Sequence, residues 1–347
     1  MSGADTLTLR RPDDWHLHLR DGAALSAVLP HTAQRFARAI VMPNLAPPVT
    51  TVAAAASYRA RILAALPAGM AFQPLMTLYL TDSTAPEEID RAVESGLVFG
   101  AKLYPAGATT HSHAGVTDIR RIDAVLERMA ERDLPLLVHG EVTTPDVDVF
   151  DREAVFIDTV LVPTVQRFAT LRVVLEHVTT RVAVAFVRGA RDGVAATITP
   201  QHLMMNRNAL FQGGLRPHHY CLPVLKTEPD RLALIDAVAA GHPRFFLGTD
   251  SAPHARHAKE HACGCAGIYS AHAGIELYAA IFEQHGMLQR LEDFASGYGA
   301  DFYRLPRNTS RITLLRETWS PPASYPFGEH ELVPYLAGQP IAWRLAP

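Results

Sequence analysis

The residues best placed to do chemistry begin near the N-terminus, in Asp14-Trp15-His16-Leu17-His18-Leu19-Arg20. This stretch reads as a strand over Trp15 to Leu19, and side chains two apart on a strand share a face. His16 and His18 can therefore reach one metal ion together, with Arg20 just beyond on the same side. Neutral imidazole offers a free ring nitrogen and is the commonest metal-binding side chain. A lone His-x-His also fits two half-buried strand histidines, so the reading depends on what the later chain supplies. It supplies His139, His177 and Asp250, each at the end of an apolar run of strand length. Four imidazoles and one carboxylate suit zinc or another first-row divalent ion. Singly, His139 and His177 fit satisfied core histidines and Asp250 fits a helix cap. Together at strand ends they read as one site.

Lys102 stands apart from these five. It lies within the apolar strand Val98 to Tyr104, and an ammonium would repel a metal ion. Burial disfavours the charged lysine, and a neutral amine can add carbon dioxide to become an anionic carbamate able to bridge two metals. The sequence equally allows a lysine whose stem packs in the strand while its head reaches solvent.

The elements that must position these groups alternate along the chain. Strands are expected at Trp15–Leu19, Ala39–Met42, within 71–80, and at Val98–Tyr104, Pro135–His139, Leu171–His177, Val194–Thr199 and Arg244–Asp250. Helices are expected over about 23–38, with Pro30 ending or kinking one piece, and over about 52–66. Others should start at Pro86-Glu87-Glu88 and run over about 118–132, 152–168, 181–191, 231–240 and 271–285. Eight strands alternating with helices make a (β/α)8 TIM-type barrel, whose catalytic groups gather at the C-terminal strand ends. Periodicity alone also allows an open doubly wound sheet. That sheet would not gather groups from its first, fourth, fifth, sixth and eighth strands, and no Gly-rich phosphate loop follows the first strand. The chain reads as one domain, 1–347, with the barrel over about 12–290 and a Pro-rich C-terminal extension over 291–347.

Composition narrows the partners. The 347 residues are 48% hydrophobic and 19% charged, with a formal net charge of -3. That balance gives no electrostatic reason to expect nucleic acid or an anionic membrane. No apolar run is long enough to span a bilayer and no signal-peptide pattern opens the chain. The three cysteines, Cys221, Cys263 and Cys265, do not make a disulfide framework. Free thiols in a reducing cytoplasm are the expectation.

The chain closely resembles the dihydroorotases of the bacterial single-function type, within the amidohydrolase superfamily. The resemblance rests on Asp14-Trp-His-Leu-His-Leu-Arg-Asp21, Val41-Met-Pro-Asn-Leu-Ala-Pro-Pro-Val49, Ala101-Lys-Leu-Tyr-Pro105, Leu137-Val-His-Gly-Glu141, Glu176-His177, Gly248-Thr-Asp-Ser-Ala-Pro-His254 and Cys263-Gly-Cys-Ala-Gly267. It implies two zinc ions per subunit, with His16 and His18 on the more buried ion and His139 and His177 on the other. Carboxylated Lys102 would bridge them, its carbamate derived from carbon dioxide. Asp250 would ligate the first ion and shuttle the proton, with a metal-bridging hydroxide as nucleophile. The implied reaction is reversible cyclisation of N-carbamoyl-L-aspartate to L-dihydroorotate and water, in pyrimidine biosynthesis. Arg20, Asn44 and His254 would grip the ring carboxylate, while Leu222 and Ala266 would read the pyrimidine edge through their backbones. His18 and His139 would also face substrate, and Thr109 and Thr110 would touch it from a mobile loop. His111 and His113 are expected to face solvent. The resemblance further implies a homodimer.

Two rivals remain. Another cyclic amidase, a dihydropyrimidinase or hydantoinase, would share the metals but need no grip on a ring carboxylate. A catalytically silent scaffold barrel would lack ligands, and here all six are present.

Overall fold

In the computed structural model, residues 5–347 are described; the first four residues of the expected domain lie outside them. Eight apolar segments line up in chain order as one parallel sheet: Asp13–Leu17, Arg38–Val41, Gln73–Tyr79, Val98–Leu103, Leu136–Val138, Val173–Leu175, Val194–Ile198 and Phe245–Leu247. They are the first to eighth barrel strands below. Parallel neighbours need crossovers, and helices such as Gly22–Arg35, Val52–Ala64, Pro86–Ser95 and Arg181–Gly189 provide them. The ring closes where Leu17 bridges Ser251 in parallel. The Asp250 amide donates to the His16 carbonyl at 2.8 Å, and the His18 amide to the Ser251 carbonyl at 3.0 Å. The fold is the expected (β/α)8 barrel.

Register fixes which residues meet at the mouth. Leu103 pairs with Val138, and Val138 with Leu175. Lys102 therefore sits one step below that level, His139 one above it and His177 two above it. The opposite end of the barrel is plugged. Trp15, Ile40, Leu75, Leu137, Val174, Ala195 and Phe246 form one buried cluster, and Tyr303 stacks on Trp15 with ring centroids 4.6 Å apart. A dry, closed floor leaves only the C-terminal mouth for polar chemistry.

Three details depart from expectation. The first helix runs unbroken from Gly22 to Arg35 with Pro30 inside it. Buried Leu25, Val28 and Leu29 anchor it, and Arg35 pairs with buried Glu276 of helix Gly274–Gln284 at 2.7 Å. That packing tolerates one missing backbone hydrogen bond. The first strand lies at Asp13–Leu17, so His18 sits just past its end. The stretch after 290 is more than a Pro-rich tail. Helices Leu291–Ser296 and Tyr298–Phe302 pack under the barrel, and Arg311–Leu315 pairs antiparallel with Thr6–Arg10. Leu9 and Leu314 are the buried residues of that pair.

Candidate active site

His16 is the hub of the mouth. Its Nε2 lies 3.3 Å from Asp250 Oδ1, and its Nδ1 lies 3.1 Å from Glu176 Oε1. Two groups of three could each hold a metal ion and both include it: His16, His18 and Asp250, and His16, Glu176 and His177. Burial opposes charge on His16, but Glu176 and Asp250 outweigh it and push its pKa up to about 9. Burial would likewise raise Asp250, yet the charge on His16 holds it well below the usual carboxylate range.

The geometry fits a cation. The Asn44 amide nitrogen donates to the Thr110 carbonyl at 3.1 Å, so its oxygen is free to accept from His18 Nδ1 at 2.8 Å. Burial pushes the His18 pKa down to about 4, so the ring is neutral with its one proton on Nδ1. His18 Nε2 then presents a lone pair to Asp250 Oδ1 at 3.1 Å, two acceptors face to face, which a bound metal ion would reconcile. His16 Nδ1, His177 Nδ1 and Glu176 Oε1 are buried with no hydrogen-bond partner. The short His16–Glu176 approach therefore lacks hydrogen-bonding alignment. Burial puts neutral imidazole at His177 as well, its pKa well below the ordinary value.

The backbone at these positions is held in an uncommon conformation. His177 has φ 45° and Asp250 has φ 44°, and Arg20 has φ 60°. Non-glycine residues adopt such angles at a cost and tend to cluster at functional sites. The Thr197 hydroxyl grips the His177 amide at 2.8 Å. Asp14 holds Thr249 beside Asp250, accepting from its amide at 2.9 Å and its hydroxyl at 2.5 Å.

Lys102 is fully buried, its ammonium against the Glu176 carboxylate. Burial lowers its pKa, with Glu176 and Asp250 opposing. The solvent-reaching reading of Lys102 is excluded. His139 packs on His177 with ring centroids 4.9 Å apart, and its Nε2 meets Glu141 Oε2 at 2.8 Å.

Eleven of the expected residues line one cavity with an empty volume of about 350 Å³: His16, His18, Arg20, Asn44, Thr109, Thr110, His139, His177, Leu222, Asp250 and Ala266. Lys102 lies beneath it. His254 Nε2 accepts from the Arg20 guanidinium at 2.9 Å, and His254 itself is not among the residues lining the cavity. The loop carrying Thr109 and Thr110 lines the cavity, held through Asn44 and by Tyr79, whose hydroxyl donates to the His111 carbonyl at 3.2 Å. His111 and His113 are exposed as expected, although His111 Nδ1 also reaches the Asn44 carbonyl at 3.2 Å.

Sequence reasoning missed Glu176, Glu141 and Tyr104 as site residues. Glu176 closes the apolar sixth strand directly before His177, and a carboxylate ending such a strand was a usable signal. Glu141 lies two residues past His139, the spacing of a same-side pair. Tyr104 lines the cavity with its hydroxyl unpartnered, which residue type alone does not signal. The three cysteines are free thiols, Cys221 buried and Cys263 exposed.

Comparison with known proteins agrees with this geometry. The amidohydrolase family matches residues 14–314. A dihydroorotase of Nitrosomonas europaea is 67% identical over 345 residues, 99% of each chain. The crystal structure of the Campylobacter jejuni dihydroorotase superposes with a TM-score of 0.91 at 33% identity, covering 100% of this chain and 99% of that one. The Saccharomyces cerevisiae dihydroorotase in complex with 5-fluoroorotic acid gives a TM-score of 0.90 at 31% identity, covering 99% and 100%. The chain belongs to the amidohydrolase family and, within it, to the dihydroorotases.

Proposed function

We infer that this chain interconverts N-carbamoyl-L-aspartate and L-dihydroorotate in pyrimidine biosynthesis, at a site holding two zinc ions. The observation that carries the reading is the metal-competent group His16, His18 and Asp250 lining one cavity together with His139, His177 and the Arg20 guanidinium. His16, His18 and Asp250 would hold one ion, and His139 and His177 the other. Lys102, carboxylated by carbon dioxide, would join them; its burial supports the neutral amine that carboxylation requires. When bound, the metal pair supplies Lewis acidity, polarising the ring amide carbonyl and lowering the pKa of water.

The protein's own groups do the rest. In the hydrolytic direction Asp250 accepts a proton from the attacking water and passes it to the ring nitrogen as the C–N bond breaks. The reverse direction returns that proton as the ring closes. Arg20, aimed by His254, matches the ring carboxylate as a planar fork, and Asn44 adds a directional hydrogen bond. The ligand of the yeast relative, 5-fluoroorotic acid, carries such a carboxylate and supports the assignment. Leu222 and Ala266 offer backbone groups to the pyrimidine edge, and Thr109 and Thr110 cover the substrate and exclude water. The helices after 290 and the outer sheet belong with the barrel as one 1–347 unit. A cytoplasmic homodimer follows from the single-function bacterial resemblance. Among the described residues no helix is long and apolar enough to cross a membrane.

The test is metal removal and return. Chelated protein should lose dihydroorotate turnover and regain it on adding two zinc equivalents per chain with bicarbonate. Full turnover by metal-free protein would overturn the reading.

A further inference from the structure

Lys259 ends the short helix Arg256–Lys259 in the loop after the eighth strand, and it is 5% exposed. All three of its hydrogen bonds run to backbone carbonyls: Tyr220 at 3.1 Å, Cys265 at 2.9 Å, and Gly267. An ammonium has three N–H donors, so every donor is used. Burying a charge costs unless it is bonded, and burial pushes the Lys259 pKa down to about 8. An apolar side chain would fill the same space without that cost, so the carbonyls are what the charge is there to hold.

Those carbonyls belong to two different loops. Tyr220 lies in the connection after the seventh strand, and Cys265 and Gly267 in the one after the eighth. The Gly267 amide also donates to the Tyr220 carbonyl at 3.0 Å, so the loops are tied twice at one point. Leu222 follows two residues after Tyr220, and Ala266 lies between the two clamped carbonyls. Both line the active-site cavity. The clamp is tightly built: a Cβ on Gly264 would meet the Lys259 carbonyl oxygen at 2.6 Å, and one on Gly267 would meet Ala252 at 2.8 Å.

We propose that Lys259 is a positioning residue for substrate recognition, its ammonium fixing the two loops so that the Leu222 and Ala266 backbones face the bound ring together. This rests on the dihydroorotase reading above. Lys259 hydrogen-bonds none of the metal-competent residues and meets the cavity only through the loop backbones it holds, so its loss should weaken binding and spare the chemical step.

The experiment compares Lys259→Met and Lys259→Gln with the wild type, using dihydroorotate and bound zinc. Lys259→Met should raise KM about tenfold or more while kcat stays within about threefold, the mark of lost uniform binding. Lys259→Gln, which keeps a donor, should recover part of the KM. Metal content should not change. Amide hydrogen exchange without substrate gives a second measure: segments 217–223 and 263–268 should exchange about tenfold faster in Lys259→Met, with the barrel strands unaffected. Unchanged KM and unchanged exchange in either folded variant would overturn the proposal. If Lys259→Met does not fold, Lys259→Gln decides the matter by the same two readings. Failure of the wild type to turn over dihydroorotate would overturn the functional reading instead, and the exchange result would still judge the clamp.

Discussion

Asp14 and Thr249 join the first and eighth barrel strands beside the candidate metal site: the buried Asp14 carboxylate accepts both the amide and the hydroxyl of Thr249. The two residues stand on either side of the closure, each within two positions of a group in the site, His16 and Asp250. Asp14→Ala should strand three buried donors, the Thr249 amide and hydroxyl and the His16 amide, each costing about 1–3 kcal/mol. Urea denaturation should show the lower stability, and the variant should lose turnover as the first and eighth strands lose their common anchor. Stability and turnover both unchanged would contradict the anchoring role.

Lys102→Ala should remove most activity and reduce metal content, because no other group would bridge the ions. Short carboxylic acids added to the assay should restore part of the rate by occupying the space the side chain leaves. Full activity with full metal content would exclude the bridge.

Asp250→Asn keeps the size of the side chain and one ligating oxygen, but an amide cannot take up the proton. Turnover should fall by roughly 10²-fold or more, the typical loss for a general acid–base group. The variant should remain folded, since the Asp250 amide still reaches the His16 carbonyl. Normal turnover in a metal-loaded variant would refute the proton-transfer assignment.

His254 should stay neutral throughout the working pH range. Burial and the Arg20 guanidinium push its pKa down to about 2 from an ordinary 6.5. Below pH 6.5 the unfolded chain binds a proton that the folded chain refuses, so this residue makes stability fall as pH drops through that value, by at most about 1.4 kcal/mol per pH unit. His254→Gln should soften the loss of stability between about pH 6.5 and 5, and it should also weaken substrate binding by loosening Arg20. An identical pH dependence in variant and wild type would show that His254 titrates normally.

Much of this architecture is legible along the chain because it is local. The apolar runs ending in His139, His177 and Asp250 announce both a strand and what stands at its mouth. Buried Lys102 is legible as an anomaly in an apolar run, although its surroundings are not. What sequence could not reveal are relations between distant elements. Glu176 facing His16 depends on the register of the sixth strand against the first across the barrel. His254 reads as a substrate ligand by motif, and only the fold shows its ring against the Arg20 guanidinium. Pro30 reads as a helix stop or kink on local grounds, and the helix continues through it to Arg35 because buried Leu25, Val28 and Leu29 anchor it. The strand Thr6–Arg10 has its partner about three hundred residues away at Arg311–Leu315, so no local pattern could reveal the pairing.

The central claim is that this site works on a ring bearing a carboxylate, and kcat/KM for dihydroorotate and dihydrouracil tests it most directly, measured on wild type and Arg20→Met with metal content alongside. Arg20 is half-buried, its guanidinium donates to the ring of neutral His254 and to the Pro253 carbonyl, and among the described residues no carboxylate hydrogen-bonds to it. A substrate carboxylate would complete that pairing; dihydrouracil leaves it unmet. Removing one partner of a fully buried charge pair costs about 3–5 kcal/mol; solvent at half-buried Arg20 reduces that figure, yet about 1.4 kcal/mol is already tenfold in an equilibrium constant. The wild type should therefore favour dihydroorotate by well over tenfold, and Arg20→Met should narrow the gap mainly by losing dihydroorotate, with both metals retained. Equal use of the two substrates by the wild type would contradict the account and favour a hydantoinase-like enzyme.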